Sequence, residues 1–214
     1  MRLNPAAFNR HLASIGQQML WRRSYGCACV NPASGAADSK HALCGGKGRF
    51  WDAPVQTTCG VSRQQVTAEM IDAGVFDSGD LTLSVPESSP MWGLAGRFDR
   101  VTLLNSTEVF SQPLVRGGIM PERLLFKVEQ FTRCFWLDPV SRLPVDGALP
   151  SIDDNGDLSW APGDEPPLGA TYSLSGVKYD EYYIFDQMPS DRSEHSGARL
   201  PKRVQLRKFD LFGR

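Results

Sequence analysis

A chain of 214 residues is long enough to bury a sizeable core, and 41% apolar with 22% charged residues excludes an intrinsically disordered chain. Its 23 basic and 24 acidic side chains leave a net charge of −1, without the basic surplus expected of a protein whose main task is holding nucleic acid. No apolar run reaches the roughly 18 residues of a membrane span, and residues 1–20 lack the continuous apolar stretch of a secretory signal. Synthesis in a cytoplasm is therefore expected, where five cysteines serve as free thiols or metal ligands and not as disulfides.

Residues 1–23 read as an N-terminal helix. Asn4 is a good N-cap, Pro5 suits the first helical position, and Phe8, Leu12, Ile15 and Met19 recur on one helical face over residues 4–22. Gly16 weakens that helix by about 1 kcal/mol relative to Ala. Residues 24–49 change character: Gly, Ala, Ser, Asn and Pro dominate, with three cysteines and a histidine among them. Such a stretch cannot build an apolar core, so something else must order it.

Residues 50–214 read as a β-rich body. Short runs of Val, Thr, Leu, Phe and Tyr are punctuated by Gly, Pro, Asp and Asn. Leu81, Leu83 and Val85 alternate with Thr82 and Ser84, which gives one buried face. Residues 100–104 and 109–110 flank an Asn105-Ser106 turn, and residues 124–137 form one long bent or bulged strand. Residues 153–157 make a turn, and residues 172–174 and 182–185 are two further strands. Residues 143–151 and 188–199 read as exposed loops, and residues 200–212 close the chain with a strand. The expected fold class is mainly β, a sandwich or small barrel, with an N-terminal helix and a zinc-knuckle-like insertion.

The clearest chemical constellation is Cys27-Ala28-Cys29, then eleven residues, then His41-Ala42-Leu43-Cys44-Gly45-Gly46-Lys47-Gly48. Two close pairs of sulfur and nitrogen donors separated by a loop supply the four tetrahedral positions that zinc favours. The glycines after Cys44 let backbone N–H groups reach the thiolate, the outer contacts that a metal-bound sulfur needs. Cys27, Cys29, His41 and Cys44 are thus the candidate ligands of a structural zinc. With four protein ligands no coordination position is left open for catalysis. The His41-x-x-Cys44-x-Gly46-x-Gly48 segment is similar to the CxxCxGxG zinc repeats of the DnaJ chaperone family, with His41 in place of the first cysteine. Only one such unit is present, and the J-domain motif is absent.

Cys59 and Cys134 are expected to be buried small apolar residues, and His11 and His195 solvated surface residues. The sequence contains no GxSxG, GxxxxGK[ST] or HExxH pattern, and no GxGxxG linked to a strand. No catalytic residue is nominated, and no enzymatic activity is expected. Residues 199–208 are locally basic. They read first as an edge strand guarded by Lys and Arg, second as a contact to DNA phosphates, third as an interface rim complementary to acidic residues 153–165.

Several of these features together resemble a tailed-bacteriophage virion protein of the neck, the head–tail connector region. They are the early Cys27, Cys29, His41, Cys44-Gly-Gly-Lys-Gly knuckle, and residues 79–86 (GDLTLSVP). Residues 97–108 (RFDRVTLLNSTE) follow, running on to Leu114-Val115-Arg116-Gly117. Trp160, residues 166–169, Tyr172, Tyr179 and the closing Leu200-Pro201 complete the pattern, which spans most of the chain. The resemblance implies a non-catalytic structural subunit located in the virion and made in the host cytoplasm. It implies a homo-oligomeric ring that touches other virion proteins of the connector or tail, with no membrane. A tail-completion or baseplate component, and a zinc-dependent nucleic-acid-binding protein, are the alternatives. DNA contact is possible but not favoured.

Overall fold

The computed structural model describes residues 4–44, 46–62, 79–118, 122–124, 126–153, 156–187, 194–195 and 197–209. The fold is mainly β, and the chain forms two compact units: residues 1–105 with 181–214, and residues 106–180. No helix among the described residues is long and apolar enough to cross a membrane.

The first unit is built on a closed six-strand barrel. Its staves are β1 (Gln17–Arg22), β4 (Val55–Ser62), β5 (Leu81–Val85), residues 100–105 of β6 (Arg100–Val115), residues 181–187 of β11 (Thr171–Gln187), and β14 (Lys202–Lys208). The order β14-β5-β4-β1-β6-β11 closes because β14 also pairs with β11. Strand alternation places every second side chain inside. Met19 and Trp21, Leu81, Leu83 and Val85, Val101 and Leu103, Tyr182 and Ile184, and Val204 and Leu206 form one buried cluster with Cys59. Residues 86–99 add Met91 and Ala95 to that cluster. This segment is held by the Trp92 indole donating to the Leu200 carbonyl at 3.0 Å and by the Gln187 side-chain amide donating to the Ala95 carbonyl.

The helix is shorter than its periodicity predicts. α1 runs Pro5–Ile15, with Asn4 capping the Ala7 N–H as expected, and the chain turns extended at Gly16. A Cβ at Gly16 would stand 2.6 Å from Thr58 Cγ2, so the turn requires glycine. Residues 17–22 are a strand because β4 and β6 bond them on both sides. Pairing on two sides outweighs a local helical period. Within α1, Leu12 is buried while Phe8 and Ile15 are exposed, and Met19 points into the barrel. The boundary expected at residue 50 moves accordingly: the β body begins at β1, and the Cys/His segment is an insertion between β1 and β4.

One buried carboxylate ties this end of the barrel together. Asp99 accepts hydrogen bonds from the Trp21 indole (2.8 Å), the Ser24 backbone N–H (2.8 Å) and the Gly96 backbone N–H (2.9 Å). It thereby links β1, the start of the insertion and the segment entering β6. Nearby, buried Arg100 pairs with Glu181 and lies over the ring of Phe209 at 4.1 Å.

The second unit is a sheet with the order β6-β11-β7-β8, formed by residues 106–115 of β6, residues 171–180 of β11, β7 (Val128–Leu137) and β8 (Pro144–Gly147). A hairpin of β9 (Ser151–Ile152) and β10 (Leu158–Ser159) accompanies it. Leu124, Phe126, Phe131, Cys134, Tyr172 and Leu174 form its core. Glu122 accepts from the Tyr172 hydroxyl (2.7 Å), Arg116 (2.9 Å) and the Gly117 N–H (2.9 Å). Burial pushes the Glu122 carboxyl up, but these three donors outweigh it and hold it below its ordinary value.

Four readings of strands change. β6 runs unbroken through Asn105-Ser106, where Ser106 hydrogen-bonds Asp180 instead of turning. The two strands expected at residues 172–174 and 182–185 are one, β11. Part of the stretch at residues 143–151 is the strand β8, recruited by β7 although its side chains are mostly exposed. The bulging expected for residues 124–137 is present: β7 starts at Val128 and its register against β11 shifts twice. The turn at residues 153–157 is also present, closed by Asp157 N–H on Asp153 Oδ1, although residues 154–155 lie outside the described set. So do residues 188–193 and 196 of the expected loop at residues 188–199, and residues 210–212 of the closing strand. Finally, β14 is not an edge strand, because β5 and β11 flank it. Its Arg207 faces Asp80 at 3.4 Å.

Replacing Asp99 with Ala strips the acceptor from one buried and two half-buried donors, each costing about 1–3 kcal/mol at full burial. Urea unfolding followed by tryptophan fluorescence should show a loss of about 3 kcal/mol or more, with Asp99→Asn losing less. A loss below about 1 kcal/mol in the alanine variant would remove Asp99 from its central role. Glu122 gives a pH-dependent counterpart. Its folded pKa is depressed, so its contribution is full above the ordinary 4.5 and fades as pH falls through the lower folded value. Glu122→Gln should lower stability at neutral pH by about 1–3 kcal/mol, and the gap to wild type should narrow below about pH 4.

Candidate metal centre

Between β1 and β4 the chain leaves the barrel as a short ribbon, β2 (Ser24–Gly26) against β3 (Arg49–Trp51). Tyr25 and Phe50 face each other across it and stack with ring centroids 5.5 Å apart. The ladder continues one step further, because the Cys27 N–H donates to the Gly48 carbonyl at 2.8 Å. The two ends of the Cys/His loop are thereby clamped together before any side chain of the loop is considered.

Inside the loop, short polar side chains replace a core. Asn31 Oδ1 accepts from the Ala33 and Ser34 N–H groups, and the Asn31 N–H bonds the Ala36 carbonyl at 2.8 Å. Asp38 caps the turn into His41, taking the Lys40 N–H on its carboxylate at 3.0 Å and the His41 N–H on its carbonyl. Gly46 and Gly48 adopt φ of +79° and +69°, a region that favours glycine. A Cβ at Gly46 would also approach the Ser39 backbone to 3.0 Å.

The result brings all four sequence-nominated ligands together. Cys27, Cys29, His41 and Cys44 have donor atoms within 4.8 Å of one another, and the group could hold a metal ion. Cys27 Sγ lies 3.4 Å from His41 Nδ1, Cys29 Sγ 3.4 Å from Cys44 Sγ, and Cys44 Sγ 3.7 Å from His41 Nδ1. Cys27 and Cys44 are buried, while Cys29 and His41 are half-buried.

The electrostatics favour a thiolate at Cys44. Burial pushes that thiol up, but hydrogen bonds from Cys29, the Gly48 N–H, His41 and the Gly46 N–H outweigh it and bring it down to about 6. Cys29 is the complementary partner. Burial raises it to about 11, assisted by its bonds to Cys27 and Cys44, so it keeps its proton and donates. The expected role of the glycine tail is thus present in two N–H groups directed at the Cys44 sulfur.

The remaining cysteines stay out of this centre. Cys59 sits in the barrel core and Cys134 in the core of the second unit. Burial raises both thiols, Cys134 to about 11. His11 is exposed on α1, and His195 is half-buried on β12 (Glu194–His195), which pairs with β13 (Ala198–Arg199). Sequence reading missed Asp99, which anchors the ribbon beneath the centre through Ser24. No spacing rule singles out one carboxylate in Arg97-Phe98-Asp99-Arg100.

Fold and site together define a mainly β chain with a closed barrel and a Cys/His group able to hold a metal ion. No family model matches this chain, and no curated protein matches it.

Removing metal with a strong chelator should deprotect residues 27–48 in amide hydrogen exchange while leaving β5 and β14 protected. Cys44→Ser should do the same without chelator. Equal protection of residues 27–48 in all three samples would show that this loop is ordered without metal.

Proposed function

We propose that this chain is a non-catalytic structural subunit of a tailed-phage virion, forming a homo-oligomeric ring at the neck, with one structural zinc in the Cys/His knuckle. The phage assignment rests on the sequence pattern that spans most of the chain. The ring rests on one observation in the second unit: β8 leaves its outer edge unpaired among the described residues, and that edge carries apolar surface. In β8 and the residues flanking it in sequence, Leu137, Val140, Leu143, Val145 and Leu149 are exposed. Leu137 and Leu168 line a groove of about 620 Å³ together with Trp136 and Pro139. Exposed apolar area beside an open strand edge invites a partner, and repeated copies supply one by symmetry.

The groove is lined largely by apolar and aromatic side chains, Phe135, Trp136, Leu137 and Leu168 among them, which suits a binding surface.

Zinc is supported by the dimensions of the ligand group. Sulfur at ~2.3 Å and nitrogen at ~2.0–2.1 Å from a tetrahedral ion place sulfur–sulfur edges at ~3.8 Å and sulfur–nitrogen edges at ~3.6 Å. Three of the six edges, at 3.4, 3.4 and 3.7 Å, lie within about 0.4 Å of these values, and all six are within 4.8 Å. With Cys27, Cys29, His41 and Cys44 filling all four positions, the ion would be structural.

Native mass spectrometry of the purified chain, before and after chelation, tests both parts. One zinc per chain and a closed oligomer, weakened by Leu143→Asp with Val145→Asp, are expected. A strict monomer at every concentration would overturn the ring, and a chain free of zinc after growth in zinc-supplemented medium would overturn the metal assignment.

A further inference from the structure

The chain as a whole is nearly neutral, yet charge is segregated within it. Residues 22–52 carry Arg22, Arg23, Lys40, Lys47 and Arg49 against only Asp38 and Asp52. The structure adds Arg97 to this region. The Arg49 guanidinium lies over the Phe98 ring at 4.3 Å, and that of Arg97 lies over the same ring at 5.0 Å. Arg97 also reaches Phe185 at 5.6 Å, and Arg23 covers Tyr25 at 5.3 Å. Phe98 holds φ +74°, a conformation that bulky residues seldom adopt. Backbone strain of this kind persists where the surroundings enforce it, and here it places the ring against both guanidiniums.

Among the described residues, Arg23, Arg49 and Arg97 have no carboxylate within ion-pair distance. Some arginines elsewhere in the chain do: Arg116 pairs with Glu122, and Arg133 with Asp146. A guanidinium stacked on a ring has its plane fixed and still presents an N–H edge, although one Arg49 N–H is already given to Ser24 Oγ at 3.3 Å. That edge fits the oxygens of a phosphate. The rings themselves are covered, so base stacking is not what this surface offers.

We propose that the β2–β3 ribbon and the segment before β6 form a phosphate-binding face that takes the backbone of a nucleic acid without reading its sequence. Arg23, Arg49 and Arg97 supply the contacts, with Tyr25 beneath the first and Phe98 beneath the other two. Binding of this kind requires neither a ring nor a virion, so it stands or falls separately from the proposed function.

The test is fluorescence anisotropy of a labelled random-sequence DNA duplex with the full chain, from about 50 to about 200 mM salt. Three phosphate contacts predict that log K falls with log salt with a slope of roughly −2 to −3, about 0.9 per contact. R23Q/R49Q/R97Q should remove most of that slope and weaken binding about ten-fold or more at the lower salt. The single variant R97Q, at an exposed position, should lose roughly one unit of slope with an unchanged thermal melt. R133Q/R142Q, which removes arginines of the second unit, should bind as wild type does. No binding at about 50 mM salt, or an undiminished slope in both the triple variant and R97Q, would overturn the proposal. So would displacement of the duplex by polyglutamate at equal charge concentration, which would indicate an acidic protein partner.

Discussion

Closure of the barrel by β14 is the constraint on which the first unit depends. A last strand bonded to β5 on one side and to β11 on the other leaves the ladder no edge. It also fixes inward and outward positions on all six staves at once, because a slip of one residue would exchange every inward-facing side chain for its outward-facing neighbour. Val204 and Leu206 are therefore buried while Arg203 is exposed. The outward-facing polar residues of this strand do further work: Gln205 and Arg207 both reach Asp80. The basic character of the C-terminal segment is thus partly taken up inside the unit, and Arg23, Arg49 and Arg97 lie elsewhere.

Anchored to that closed frame, the Cys/His loop gains a fixed base. Asp99 joins Trp21 of the barrel to Ser24 at the foot of the ribbon, and the Trp51 indole at the other foot donates to the Phe98 carbonyl at 3.0 Å. Both legs of the insertion are therefore held by neighbouring residues of one segment. A change in the order of the loop would be felt at residues 98–99, and a change at Asp99 would loosen the ribbon.

How much of this was legible in the sequence differs by scale. The four ligands were readable because CxC and HxxC spacings each make one tight turn, and the chemistry of zinc restricts which turns are useful. The mainly β class was readable from alternation in Leu81, Leu83 and Val85, which do face inward. The helix end was misread because Met19 satisfies a helical period and a strand period at once, and only β4 and β6 decide between them. The β6 reading failed for a similar reason: Asn105-Ser106 has turn chemistry, but the strand is carried through it. The stacked arginines left a trace in the dipeptides Arg49-Phe50 and Arg97-Phe98, yet only the fold shows that Arg49 covers Phe98 and not Phe50.

The loop between Cys27 and Gly48 also explains why a metal and not packing should order it. Leu43, its largest aliphatic side chain, is exposed, and the rest of the loop is mostly small or polar. Fixing backbone costs about 1–2 kcal/mol per residue, which its few turn hydrogen bonds cannot offset alone. A structural zinc would contribute on the order of 10–16 kcal/mol, delivered where Cys27 enters the loop and Cys44 and Gly48 lead out of it. Cys27 and Gly48 continue the β2–β3 ladder that flanks Arg23 and carries Arg49. A metal bound by that loop would thus be coupled to the placement of Arg23 and Arg49 through one short ribbon, with Asp99 as its fixed end.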